Sequence, residues 1–207
     1  MSGGGNKPLL VFAHRGEAQA FLKGRNFREV DFAFNGVFQS EKELLLLCGE
    51  GLDAAEERLS TLLGAFGKDI SLVLNFGIAG SLSDSLTPGE IYPIRAAYRE
   101  PEAAQALPAF RSADPNARID CISARRRVLT PAYAQRLAPF APIVDRELWA
   151  IASLCAQQGI PFRSCKLISD RAGMDTPALD FKRCARPFSE QLFDFYTLHL
   201  RTIEPQP

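Results

Sequence analysis

Histidine is nearly absent from this sequence: there are two, His14 and His199, in 207 residues. A histidine-rich metal centre therefore lacks ligands, and neither a metal nor an organic cofactor is expected. Cysteine is sparse and unpatterned. Cys48, Cys121, Cys155, Cys165 and Cys184 are odd in number and contain no CxxC spacing, so buried thiols are expected rather than a disulfide or redox motif. An excess of either charge is missing, because Lys+Arg and Asp+Glu both number 24. The zero net charge argues against nucleic acid as the main partner and gives no sign of a polybasic patch for a membrane. No apolar run reaches the roughly 20 residues of a membrane helix. Residues 9–13 fall short of the roughly 7–15 residues of a signal h-region. These absences lead to the expectation of a cytoplasmic protein. No linker or internal repeat divides the chain. A single domain over residues 1–207 is expected, with residues 1–7 as a flexible tail.

What is present alternates. Apolar runs at 8–13, 44–47, 70–76, 119–123 and 161–169 read as buried strands. Residues 31–40 and 43–48 read as a strand pair, and the turn signal Pro88-Gly89 precedes a strand over 90–94. Helical periodicity appears at 17–24, 53–66, 130–137, 145–158 and 189–200. Asp53 and Asp145 are placed to cap two of these helices, and Gly159 to close one. Leu192, Phe193, Phe195, Tyr196 and Leu198 form the apolar face of the last. Residues 99–118, rich in Ala and Pro, read as a loop with a short helix. Most phenylalanines and the single Trp149 read as core. The alternation predicts an α/β fold: a three-layer sandwich with a central mixed, mostly parallel sheet flanked by helices.

Ligands on such sheets bind beyond the carboxyl ends of the strands, which directs attention to residues 14–17, 77–81, 123–127 and 169–173. Ser169-Asp170 follows an apolar strand; a carboxyl there suits a general acid, although Asp170 taken alone reads first as a helix cap or turn residue. Glu147, in the first turn of a helix, suits the macrodipole without any further role. Glu17 opens a helix after the loop Ala13-His14-Arg15-Gly16. Gly77-Ile78-Ala79-Gly80 reads as a glycine turn whose backbone N–H groups approach a ligand; it is neither a P-loop nor GxGxxG.

Taken together and in order, these segments resemble a known family. Asn75-Phe-Gly-Ile-Ala-Gly-Ser-Leu82 followed by Leu86-Thr-Pro-Gly-Glu-Ile91 looks like strand, GxAG, loop and L-x-x-G-[DE]-[IV]. Val144-Asp-Arg-Glu-Leu-Trp-Ala150 resembles E-M-E-x-x-A. Pro161-Phe162 with Lys166-Leu-Ile-Ser-Asp170 resembles P-[FV] leading to R-x-[IV]-S-D. The pattern is that of the nucleoside phosphorylase and nucleosidase superfamily, in particular methylthioadenosine/S-adenosylhomocysteine nucleosidases and relatives such as futalosine hydrolases and adenosylhopane-cleaving enzymes. The resemblance implies hydrolysis of the N-glycosidic bond of a purine, adenine-type nucleoside. It implies Asp170 as acid at the purine with Ser169 beside it, Glu147 on the ribose hydroxyls, and Glu17 activating water. Gly77, Ile78 and Ala79 are implied in substrate binding, and a homodimer is implied as the assembly. Two departures stand out. Arg146 replaces the methionine that stacks under the ribose, and Ser123-Ala-Arg125-Arg126-Arg127 lacks the aromatic that faces the purine. The run Arg125 to Arg127 reads as a solvated loop, or else Arg126 or Arg146 meets an anionic substrate group through its guanidinium fork. Two further readings remain open: a phosphate-dependent phosphorylase, and a catalytically silent purine-nucleoside-binding protein of the same fold.

Overall fold

The computed structural model describes residues 6–102, 108–176 and 181–199. In chain order the elements are β1 (Lys7–Phe12), α1 (Arg15–Gly24), β2 (Arg28–Glu29), β3 (Val37–Gln39), β4 (Leu44–Leu47) and α2 (Leu52–Phe66). A 3₁₀ turn at Gly67–Asp69 leads to β5 (Ile70–Ser81), β6 (Ile91–Arg99), β7 (Ala109–Arg111) and β8 (Ile119–Ser123). Then come α3 (Pro131–Leu137), β9 (Ile143–Asp145), α4 (Leu148–Gln158), β10 (Phe162–Arg171) and α5 (Phe181–His199). The strands form one mixed sheet in the order β10-β6-β8-β9-β5-β1-β4-β3-β2, with β7 on β6. β1 runs parallel to β4 and β5, β5 to β10, and β8 to β6 and β9.

Period-two alternation decides the layers. In β1, Leu9 and Val11 join one apolar cluster with Leu46, Leu59, Leu62, Val73, Ile151 and Cys155, beneath α2 and α4. Leu10 and Phe12 join the opposite cluster with Phe21, Leu45, Leu74, Phe76, Leu192 and Tyr196, beneath α1 and α5. Phe12, Phe21, Phe76 and Tyr196 meet there ring against ring, with centroids 4.7–5.8 Å apart. The result is the expected sheet between two helical layers.

Several local expectations are corrected. Residues 77–81 are not a turn. They continue β5, because β10 supplies ladder partners as far as Arg171↔Ser81. Gly80 is needed there for close approach: a Cβ would sit 2.9 Å from that of Ala172. Ser169-Asp170 likewise lies inside β10, at a register shift between Ile168 and Asp170, rather than after the strand. Asp145 belongs to β9, paired with Ser123 of β8, so α4 starts at Leu148 with Glu147 in the capping position. Gly51, not Asp53, caps α2. Lys7, expected in the tail, already pairs with Ile70.

Other differences follow from packing. Only residues 37–39 of the span 31–40 are extended. β6 reaches Arg99 and β7 pairs with it, so the described part of 99–118 holds a strand and no helix; residues 103–107 lie outside the description. The last helix begins at Phe181, and Leu198 on its expected apolar face is 76% exposed. Cys184 is half-buried, whereas the other four thiols are buried and all five are free. Trp149 is only partly buried, packed against Phe110 with Arg99 over its ring.

Candidate functional site

A cavity of about 520 Å³ opens where β1, β4, β5, β9 and β10 end. Glu17, Asp145, Arg146, Glu147, Ser169 and Asp170 all line it, together with Ile78, Ala79 and Arg126. Gly77 is not part of the lining. A Cβ there would lie 3.2 Å from Glu17 Oε1 and 3.7 Å from Lys166 Nζ, so the glycine leaves room for both groups.

Each carboxylate is held by backbone or hydroxyl donors. Glu17, on the first turn of α1 and buried, accepts from the Ile78 N–H at 2.9 Å and from the His14 N–H at 3.1 Å. Charge at a helix N-terminus is favoured by the exposed N–H groups there. Glu147 turns away from its own helix and accepts the Gly51 N–H at 2.7 Å. Asp170, also buried, accepts from the hydroxyls of Ser169 and Thr176.

Beneath them runs a network centred on the Lys166–Asp145 pair, whose lysine had no role assigned from sequence. Lys166, 2% exposed in the middle of β10, places Nζ 2.8 Å from Asp145 Oδ2. Asp145 also accepts from the Ser123 hydroxyl at 2.6 Å and the Leu148 N–H at 2.9 Å. It thus retains one function of the expected cap, from a strand. Burial alone would lower the pKa of Lys166, but the Asp145 carboxylate, with Glu147 nearby, more than offsets it and holds the ammonium above the ordinary lysine range. Burial pushes the Glu147 carboxyl up to about 7; Asp145 adds to the rise, while Lys166 and the Gly51 N–H oppose it. The clue in the sequence was a lone lysine inside Ser-Cys-Lys-Leu-Ile, since such a group is buried only with a partner.

The cationic candidates diverge. Arg146 Nη1 donates to Glu50 Oε2 at 2.8 Å, and Glu50 Oε1 lies 2.8 Å from His14 Nε2. Residues 14–17 were marked by their place after a strand, but neither His14 nor Glu50 was given a role from sequence. Arg125 pairs with Glu102. The Arg126 guanidinium lies 5.1 Å from the centroid of Tyr133, on the wall between the main cavity and a second one around Glu100 and Arg136. Glu100 in that second cavity is fully engaged by the Arg125 N–H, the Tyr133 hydroxyl and Arg136, which outweigh its burial and hold its carboxyl below the usual range. Among the described residues no group of His, Cys, Asp and Glu is arranged to hold a metal ion.

No protein-family model and no curated protein matches the sequence. Solved structures do match the fold. S-adenosylhomocysteine nucleosidase from Streptococcus pyogenes, in complex with 5-methylthiotubericidin, superposes with a TM-score of 0.84 at 17% identity, over 99% of this chain and 100% of that one. A methylthioadenosine/S-adenosylhomocysteine nucleosidase mutant from Helicobacter pylori, with 5′-methylthioadenosine in its active site, gives 0.79 at 18% identity over 93% and 97%. A futalosine hydrolase mutant of the same organism gives 0.78 at 16% identity over 93% and 97%. At these identities the likeness establishes architecture: this chain has the α/β fold of the methylthioadenosine/S-adenosylhomocysteine nucleosidases and futalosine hydrolase.

Proposed function

We propose that this protein hydrolyses the N-glycosidic bond of a purine nucleoside and releases the free base. The observation that carries the reading is the meeting of Glu17 from α1, Glu147 from the β9–α4 connection and Asp170 from β10 around one cavity of this fold. In the reaction the C1′–N9 bond breaks and its electron pair leaves with the purine. Asp170, as the acid at the purine, passes a proton to N7 of the leaving base, so that the base departs neutral. Glu147 accepts from the ribose hydroxyls and its negative charge favours the oxocarbenium-like sugar. Glu17 takes a proton from the water whose oxygen forms the new bond to C1′. Solvent then returns the proton from Glu17 to Asp170. The division into an acid and a base parallels that of glycosidases.

Water rather than phosphate is favoured as the acceptor. The Ile78 N–H, in the stretch that would cradle a phosphate, is already taken by Glu17, and Gly77 to Ser81 are committed to pairing with β10. The neighbouring carboxylates would also repel an oxyanion. The test is base release from adenosine, inosine, methylthioadenosine, S-adenosylhomocysteine and futalosine, with and without phosphate. Release without phosphate is expected, and Asp170→Asn should lower kcat by about 10² to 10⁴. Strict dependence on phosphate would move the reading to a phosphorylase. An unaffected Asp170→Asn variant would refute the assignment of the acid.

A further inference from the structure

One wall of the cavity is made of groups that the proposed chemistry does not use. His14, Glu50 and Arg146 come from the β1–α1, β4–α2 and β9–α4 connections and all line the cavity. Glu50 bridges the other two at 2.8 Å each. The cluster is not buried: side-chain exposure is 50% for His14, 48% for Glu50 and 27% for Arg146. It is also locked to the sugar grip. Glu50 holds Arg146 while its neighbour Gly51 holds Glu147, the residue after Arg146. Two consecutive residues of one connection thus clamp two consecutive residues of another. The Arg146 Nε has no hydrogen-bond partner among the described residues.

We propose that the His14–Glu50–Arg146 cluster determines specificity at the sugar, selecting a nucleoside with a free hydroxyl at the 5′ position over one with an apolar 5′ substituent such as an alkylthio group. The inference rests on the nucleosidase reading for where the sugar lies: Glu147 engages the 2′ and 3′ hydroxyls, which leaves the 5′ end for the adjoining wall. An alkylthio group covering this cluster would strip water from three polar side chains and return no hydrogen bond. A hydroxyl both donates and accepts, and so matches a carboxylate beside a guanidinium. An anionic substituent fits less well. Glu50 already occupies Arg146, and Glu17, Asp145 and Glu147 lie around the same cavity, so an oxyanion would meet carboxylates at short range.

The experiment compares kcat/KM for adenosine, 5′-deoxyadenosine and 5′-methylthioadenosine, with dissociation constants measured by calorimetry on Asp170→Asn. Adenosine should be preferred by at least about tenfold, in kcat/KM on the wild type and in Kd on Asp170→Asn. The double variant Glu50→Leu/Arg146→Met, which removes both charges together, should reduce that preference to about threefold or less. The near-isosteric Glu50→Gln should weaken it in the same direction if the double variant does not fold. Equal use of the three nucleosides by the wild type, or a preference that no variant moves, overturns the inference. Selective binding without base release would leave the wall's role standing and overturn the nucleosidase reading. Base release without discrimination would do the reverse, and failure of all three nucleosides to bind would overturn both.

Discussion

Glu147 carries a carboxylate where the fold makes charge expensive, and this predicts a variant that gains stability as it loses activity. The residue is 9% exposed, and burial together with Asp145 raises its carboxyl from the ordinary 4.5 to about 7. Between those two values the folded chain binds a proton that the unfolded chain has released. Stability attributable to this group is therefore present at acid pH and lost as pH rises from about 4.5 to about 7. Above that window the loss approaches about 3 kcal/mol. Glu147→Gln removes the titration, and its amide carbonyl can still accept the Gly51 N–H. By calorimetry, the variant's Tm should exceed that of the wild type by little at pH 5. The gap should widen through pH 6 and 7 and level off near pH 8 at about 6–12 °C. Over the same range the wild-type kcat/KM should fall as pH drops below about 7, because the ribose hydroxyls need an ionised acceptor, while the variant stays poorly active throughout. A Tm difference independent of pH, or a wild type more stable than the variant at pH 8, would refute the reasoning.

Lys166→Met should cost about 3–5 kcal/mol in urea unfolding, because it leaves Asp145 buried without its counter-ion, and adding Asp145→Asn should restore at least half of that; a cost below about 1 kcal/mol would show that the pair is not balanced as described. Gly173→Ala should cost more than about 2 kcal/mol, since its φ is +76° and a Cβ would lie 2.4 Å from the Thr130 carbonyl oxygen. Gly64→Ala, inside α2 with nothing within 4 Å of the new Cβ, should instead gain about 1 kcal/mol in the same assay.

Periodicity made the sheet and its helices legible. The runs at Leu9, Leu44, Ile70, Ile119 and Phe162 each became a strand, because a strand buried on both faces reads as a near-continuous apolar run. Strand ends were harder. β5 and β10 carry one another past the last apolar residue, and a ladder between chain segments far apart leaves no local mark on Gly77-Ile-Ala-Gly or Ser-Asp. The same reason moved Asp145 from a helix cap into β9. The side chain suits either setting, and only pairing with Ser123 decides between them.

At the site, the carboxylates Glu17, Glu147 and Asp170 were marked by family-like motifs and by their places near strand ends, and all three reach one cavity. Their partners were not readable. Gly51 and Glu147 are 96 residues apart, as are Glu50 and Arg146. Arg146, one of the arginines weighed from sequence as a fork for a substrate anion, donates to Glu50, a contact that no local pattern marks. The amino-acid sequence by itself determined the α/β class, most strands and helices, and which acidic residues stand near strand ends, because the apolar period is a local property of the chain. The tertiary structure alone decided the buried Lys166–Asp145 pair, the raised Glu147 carboxyl and the His14–Glu50–Arg146 wall. Charge pairing and desolvation depend on distance and burial in space, and those are fixed only when the connections after β1, β4, β9 and β10 close around the same cavity.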